Sequence, residues 1–168
     1  CHVHEENVEF TRVKVVELLQ KHKAPIFTRI HPQGFRNVVI RSIQHQTMVT
    51  LVSHAYIDLP ALYDDIAQLP TVVSVNVNFN PDRKSISVFG SQTMHLRKEK
   101  KQTFTMHGLT LALSPTSFFQ LNTTVASNMY AYVASLIPKD FQVVEAYCGI
   151  GVMGCMVAKH VKKVIGFD

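Results

Sequence analysis

Charge is scarce in this sequence: 17% of its 168 residues are charged, against roughly 25% in an average soluble protein. With 46% hydrophobic residues, that scarcity excludes a disordered chain and leaves ample material for a core. Long apolar runs are missing too. None reaches the roughly 18 residues of a membrane-spanning helix, and the N-terminus lacks a signal-peptide pattern. Cysteine occurs three times, as Cys1, Cys148 and Cys155. An odd count, with two of the three flanking one turn, argues against a disulfide framework and for a reducing, cytoplasmic setting. No internal repeat or low-complexity tract is present. The length suits one domain, or one domain with part of another.

Acids are the scarcer sign, and the imbalance is local. Residues 1–96 hold 9 Lys/Arg against 8 Asp/Glu, whereas residues 97–168 hold 8 against 4. The excess gathers in "RKEKK" (97–101) and "KHVKK" (159–163). Such runs are ordinarily solvated surface; the functional reading is an electrostatic footprint for a nucleic-acid backbone.

Residues 5–22 carry Val8, Val15, Leu18 and Leu19 near helical spacing, acids early and bases late, which predicts a helix stopped by Pro25. "FRNVVIRSI" and "QTMVTLVS" read as paired strands across a polar turn, and "LPALYDDIAQLP" as a short helix. "VVSVNVNFN" alternates, predicting one buried and one wet face, and "ISVFG" reads as its returning hairpin strand. "FTMHGLTLALSP" (104–115) predicts a hairpin turning near Gly108. The pattern then changes to helix (122–137, Asn122 as N-cap), strand, glycine turn, helix and strand, ending at Asp168. The expected fold is α/β: a strand-rich α+β region over 1–114, then the first part of a Rossmann-like domain over 115–168. Two parallel strands and one helix cannot cover their own sheet, so the chain is read as a fragment of a longer protein.

Gly149, Gly151 and Gly154 spell G-x-G-x-x-G within "EAYCGIGVMGCMVA" (145–158). Gly149 and Gly151 permit left-handed backbone and close approach, and the following helix offers unpaired N–H groups. An acid at the second strand's tip, Asp168, is placed to accept from ribose hydroxyls. Dinucleotide and S-adenosylmethionine folds share this logic. Glu145 and Tyr147 interrupt the first strand where a dinucleotide fold runs apolar, placing polar groups for a cofactor's amino-acid moiety. Gly154 is explained by close packing of helix on strand.

"SPTSFFQLN", a helix, "VVEAYCGIGVMG", a helix and "VKKVIGFD" together resemble the entry to the methyltransferase domain of the RNA uracil-5-methyltransferases. These use S-adenosylmethionine to make 5-methyluridine in tRNA and rRNA. "GFRNVVIR" (34–41) resembles a strand of that family's central domain. The resemblance implies that Gln120, Tyr147, Gly149, Gly151, the residue at 152 and Asp168 line the cofactor site. It also implies that Phe118 and Phe119 wall a base pocket, although plain core packing explains phenylalanine equally well. Position 152 commonly holds Asn or Thr in the family and is Val152 here; position 168 is commonly Glu and is Asp168 here.

The resemblance implies thiolate addition to uracil C6, methyl transfer to C5, and proton removal by a carboxylate. It places both catalytic groups beyond Asp168, so no catalytic residue is assigned. Cys148 is read as packing beneath the turn, Cys155 as core, and His107 as a turn residue. Cys1 falls where the family's fourth iron–sulfur cysteine lies. The resemblance leaves room for a cluster in the parent protein, but not in this stretch, since one cysteine cannot supply about four ligands. "CHVH" (1–4) is read as a terminus and no metal site is assigned. RNA is the implied partner, with no membrane, and Arg29, Arg36, Arg41 and the 97–101 run are candidate phosphate contacts on exposed sheet faces. Two alternatives stand: an NAD(P)-dependent oxidoreductase on the glycine spacing and Asp168, and a non-catalytic RNA-binding module.

Overall fold

The computed structural model describes residues 5–28, 30, 32–82, 84–120 and 122–168. Cys1, the 1–4 stretch and Arg29 lie outside them. The chain divides into two compact units, Cys1–Gln102 and Thr103–Asp168. No helix among the described residues is long and apolar enough to cross a membrane.

In the first unit, α1 (Glu6–Lys21) buries Thr11, Val15 and Leu19, one residue per turn along a single face. Its acids Glu6 and Glu9 sit in the first turn and Lys21 in the last, complementing the helix dipole. Strands β1 (Phe35–Ile43) and β2 (Gln46–Ser53) form an antiparallel pair. Helix α2 (Pro60–Gln68), with proline preset at its first position, crosses over to β3 (Val72–Phe79), which pairs parallel to β2. Strand β4 (Gln92–Lys98) closes the sheet antiparallel to β3, giving the order β1-β2-β3-β4. Val15 and Leu19 of α1, Leu62, Tyr63 and Ile66 of α2, and Val49, Leu51, Val75 and Val77 of the sheet make one core. Each such aliphatic side chain contributes about 1.5–3 kcal/mol by leaving water. The Tyr63 hydroxyl donates to the Ile57 carbonyl, satisfying its one polar atom inside that core.

Two expectations fail here. The Asn face of β3 is not wet: Ser74, Asn76 and Asn78 are as buried as the valines between them. The returning strand is not "ISVFG" but β4, six residues further on, and Ile86 is fully exposed. One cause explains both. The Asn78 amide donates to the Gly90 carbonyl at 3.1 Å, the Gln92 carbonyl at 3.0 Å and Thr93 Oγ1 at 2.8 Å, and its oxygen accepts from Gly90 N–H at 2.7 Å. Asn80 donates to the Ser87 and Val88 carbonyls at 2.9 and 3.2 Å. These side chains occupy the backbone groups of 87–92 that a regular ladder would use, so the segment stays irregular and pairing resumes at Gln92. A Cβ on Gly90 would collide with the Phe79 carbonyl, which fixes glycine there.

In the second unit, β5 (Gln102–Met106, whose first residue is the last of the first unit) and β6 (Leu109–Leu113) form a hairpin. The hairpin, read from sequence as closing the first region, thus groups almost wholly with the second unit. Helix α3 (Thr123–Leu136) starts at Asn122, whose side chain accepts from Val125 N–H at 3.0 Å. Strand β7 (Gln142–Ala146), α4 (Val152–Val157) and β8 (Lys163–Phe167) complete it, with β7 and β8 parallel and Gln142 opposite Lys163. Val144, Ile165 and Phe167 are exposed on this two-stranded sheet.

Candidate functional site

The turn between β7 and α4 is built from three left-handed residues at alternate positions: Tyr147 (φ 56°), Gly149 (φ 54°) and Gly151 (φ 75°). A Cβ on Gly149 would meet nothing within 4 Å, so backbone conformation rather than space requires glycine there. Tyr147 carries a side chain in the same conformation, at a cost of roughly 1–2 kcal/mol, and its ring is almost fully exposed. The turn closes through Gly151 N–H to the Cys148 carbonyl at 2.8 Å and is tied to β8 through Cys148 N–H to the Phe167 carbonyl at 3.1 Å. The Cys148 side chain packs against Gly166, where a Cβ would lie 3.1 Å from its sulfur, in keeping with its reading as a packing residue. Cys155 departs from expectation. It is exposed, because the short α4 buries only Val152, Gly154 and Val157.

One cavity of about 240 Å³ opens on this turn. Its wall brings together Phe118, Phe119, Gln120, Tyr147, Gly149 and Val152. Gly151 instead lines a second cavity of about 240 Å³ that shares Glu145 and Cys148 with the first. Asp168 is exposed at the end of β8 and lines neither. The two phenylalanines divide the roles offered for them. Phe119 is buried edge-to-face on Phe104 with centroids 4.8 Å apart, whereas Phe118 is 73% exposed at the cavity. Val152 is buried and gives the cavity an apolar wall where the family resemblance expects an amide or hydroxyl.

Besides Ile150 of the turn itself, three wall residues escaped the sequence reading: Met129, Tyr130 and Met153. They stand on helices, and only packing reveals which helix face meets the turn. Burial, and then the nearby Glu145 carboxylate, push the Tyr130 phenol up from its ordinary value, so it presents an O–H donor at neutral pH. The Gly149 and Ile150 N–H groups meet no backbone acceptor among the described residues. A small cavity with an amide (Gln120), two phenols and free backbone donors over an aromatic and thioether wall fits an adenosine-type cofactor carrying an amino-acid tail.

The candidate phosphate contacts are largely committed to the fold. Arg36 donates to the Asp82 and Ser85 carbonyls, both at 2.9 Å, and lies 5.7 Å from the Phe27 ring centre. Arg97 pairs with Asp64, and Lys98 donates to the Val72 carbonyl at 2.6 Å, which leaves Lys100 and Lys101 exposed in that run. Arg41, on β1, is half-buried, and burial lowers its guanidinium from the ordinary value. The sheet face expected to be open for RNA is closed along β2 and β3, where Met48, Thr50, Val52 and Asn76 are all buried.

Strand, glycine turn, helix and parallel strand define the second unit as the opening of a Rossmann-like methyltransferase fold. The chain is 33% identical over 165 residues to an uncharacterized RNA methyltransferase of Lactobacillus johnsonii, covering 93% of this chain and 36% of that protein. It is 30% identical over 176 residues to one of Enterococcus faecalis (99% and 38%) and 28% identical over 173 residues to one of Streptococcus pneumoniae (100% and 38%). Among solved structures, the Pyrococcus abyssi tRNA (uracil-54, C5)-methyltransferase in complex with S-adenosyl-L-homocysteine superposes with a TM-score of 0.73 at 22% identity, covering 94% of this chain and 39% of that one. No family model matches the chain. The chain is a relative of RNA methyltransferases along nearly its whole length, which bears out the family resemblance read in its residues. It spans less than two-fifths of the length of these curated relatives.

Proposed function

We propose that the chain is part of an S-adenosylmethionine-dependent RNA (uracil-C5)-methyltransferase and carries its cofactor-entry half. The observation behind this reading is the cavity at the glycine turn, which gathers Gln120, Tyr147, Gly149 and Val152 beside Phe118. Bound there, the cofactor supplies an electrophilic methyl group. This chain's residues hold and orient it: Gln120 and Tyr147 by hydrogen bonds, the Gly149 and Ile150 N–H groups as fixed donors, Val152 and Met153 as an apolar floor. Asp168, at the end of β8, is assigned the ribose hydroxyls. Phe118, exposed at the cavity, is assigned the face of the target base, which leaves its stack to reach such a pocket. The nucleophile and the proton acceptor for uracil lie outside these 168 residues on this reading, so the stretch binds cofactor without turning over. RNA, as tRNA or rRNA, is the substrate class.

Isothermal titration of the chain with S-adenosylhomocysteine and separately with NAD tests the cofactor. Binding of the former alone is expected, with loss on Gln120→Ala. Binding of NAD with no response to S-adenosylhomocysteine overturns the reading in favour of an oxidoreductase.

A further inference from the structure

The second unit holds a larger cavity of about 400 Å³ whose wall includes none of the turn residues 147–151. Its wall is formed by the β5–β6 turn at His107, by α3 at Ala131 and Ser135, and by Cys155, Lys159 and His160 around the end of α4. No carboxylate contributes to that wall.

Two features set this basic cluster apart from an ordinary solvated run. The first is the His107 turn. His107 (φ 49°) and Gly108 (φ 72°) are both left-handed, a hairpin turn that favours Asn-Gly. A histidine held there carries backbone cost that an asparagine would reduce. Its ring is pinned: Nε2 lies 2.8 Å from Ser127 Oγ and 3.0 Å from the Ser127 carbonyl, so α3 fixes the orientation of the imidazole. The second is the end of α4. Lys and His after a helix commonly serve its last carbonyls. Here backbone donors already serve two of them, Ala158 N–H to the Gly154 carbonyl at 3.0 Å and His160 N–H to the Val157 carbonyl at 2.8 Å. Among the described residues, neither the Lys159 nor the His160 side chain has a hydrogen bond or ion pair. An uncommitted lysine ammonium, an uncommitted imidazole and an oriented imidazole thus face one cavity with no acid in its wall, and Lys162 and Lys163 extend the positive field along the chain.

We propose that this cavity is a phosphate subsite that receives one phosphodiester of the RNA, with the Lys159 ammonium and the His160 ring N–H as donors and His107, positioned by Ser127, across from them. The inference rests on the RNA reading above and adds to it a backbone contact at a cavity that shares no wall residue with the one assigned to the cofactor. Such a contact fixes the register of an RNA without reading its sequence. A phosphorylated small molecule offers the same chemistry, and the experiment separates the two.

The test is fluorescence anisotropy of a labelled uridine-rich oligonucleotide with the chain, at a series of KCl concentrations. All three side chains are exposed, so their replacement leaves the core intact. The Lys159→Gln/His160→Gln variant is expected to bind roughly tenfold more weakly, with its log–log salt slope reduced by about one unit for the lost lysine. His107→Asn keeps the turn conformation and is expected to weaken binding in the same direction. Lys139→Gln removes an exposed charge of the same unit outside the cavity and is expected to leave affinity within about twofold, since an isolated surface charge away from the backbone path contributes little. Parent-like affinity and slope in the double variant overturn the proposal, as does an equal loss in Lys139→Gln. A parent chain that binds S-adenosylhomocysteine but no RNA overturns it while the cofactor reading stands. Inorganic phosphate shifting the His107 and His160 ring resonances where RNA does not overturns the RNA assignment in favour of a small phosphorylated ligand.

Discussion

Glu145 on β7 reaches across to α4, where its Oε2 accepts the Gly154 N–H at 2.9 Å. The cap residue of α4 is Gly151, which has no side chain to cap with, so the carboxylate of the preceding strand satisfies one of the helix's orphan donors. The same approach explains the third glycine of the motif. A Cβ on Gly154 would lie 2.6 Å from that oxygen and 3.2 Å from Val164 Cγ1.

A mutant cycle follows. Gly154→Ala in the parent is expected to cost about 1–2 kcal/mol by displacing the carboxylate from its hydrogen bond. In a Glu145→Ala background the same change is expected to be near neutral, because alanine is the better helix former by about 1 kcal/mol. Urea denaturation of the four proteins measures the coupling. An equal cost in both backgrounds would assign the constraint to Val164 instead.

Asn78 supports a second, larger effect. Its replacement by Asp keeps the shape but removes the two amide donors and turns a negative charge toward the Gly90 and Gln92 carbonyls. A loss of roughly 3 kcal/mol or more is expected, read as a shift in urea midpoint. Exposed polar changes nearby, such as Ser87→Ala, are expected to cost about 0.5 kcal/mol or less.

The first unit contains an acid-sensitive tie. Lys21 Nζ and His22 Nε2 lie 2.7 and 2.8 Å from Asp65 Oδ2. Hydrogen bonds from Lys21 and then His22 hold the Asp65 carboxyl below its ordinary value. A depressed carboxylate contributes stability above the unfolded pKa of about 4 and loses it as pH falls through the lower folded value. The melting temperature of Asp65→Asn is therefore expected to lie below the parent's at pH 6 and to converge with it toward pH 2. Parallel curves across that range would remove Asp65 from the acid response.

The two-residue turn joining β1 and β2 is a position to stabilise. Gln44 (φ 51°) and His45 (φ 62°) are both left-handed, and their N–H groups donate to the Glu5 carboxylate, each at 3.0 Å. Asn-Gly suits this turn, so Gln44→Asn/His45→Gly is expected to raise stability by about 1 kcal/mol. Glu5→Ala is expected to cost about 1–2 kcal/mol in the parent and less once the turn is Asn-Gly. Thermal denaturation of the four variants decides it.

Val152→Thr restores a hydroxyl at nearly unchanged volume. If the cavity at the glycine turn holds S-adenosylhomocysteine, one added hydrogen bond of about 1 kcal/mol corresponds to roughly fivefold tighter binding by calorimetry. Unchanged affinity would separate position 152 from the cofactor.

The helices α1, α2 and α3, the hairpins and the final strand–turn–helix–strand were legible in the sequence, because each rests on local periodicity, a cap or a glycine turn. Strand β4 was not. Its own pattern is weak, and "ISVFG" has the better composition. What excludes "ISVFG" from the sheet is the tertiary use of Asn78 and Asn80 as backbone partners, which alternation alone reads as a wet face. Within the candidate site, Tyr147 and Gly149 were visible through the turn motif, and Gln120 and Val152 through the resemblance. Tyr130 and Met153 depend on how the helices pack, and Cys155 was read as core from the usual burial of free cysteine, whereas the short α4 leaves it exposed.

The first sheet has the order β1-β2-β3-β4, so every strand pairs with its neighbour in the chain. Such a sheet grows only at one edge. Each new strand, the parallel one delivered by α2 included, meets a template that is already laid down, and no pairing waits for a distant segment. Contacts of short sequence separation fold quickly, and a chain leaves the ribosome N-terminus first. This order allows the first unit to assemble as it is synthesised, before the glycine turn has been translated.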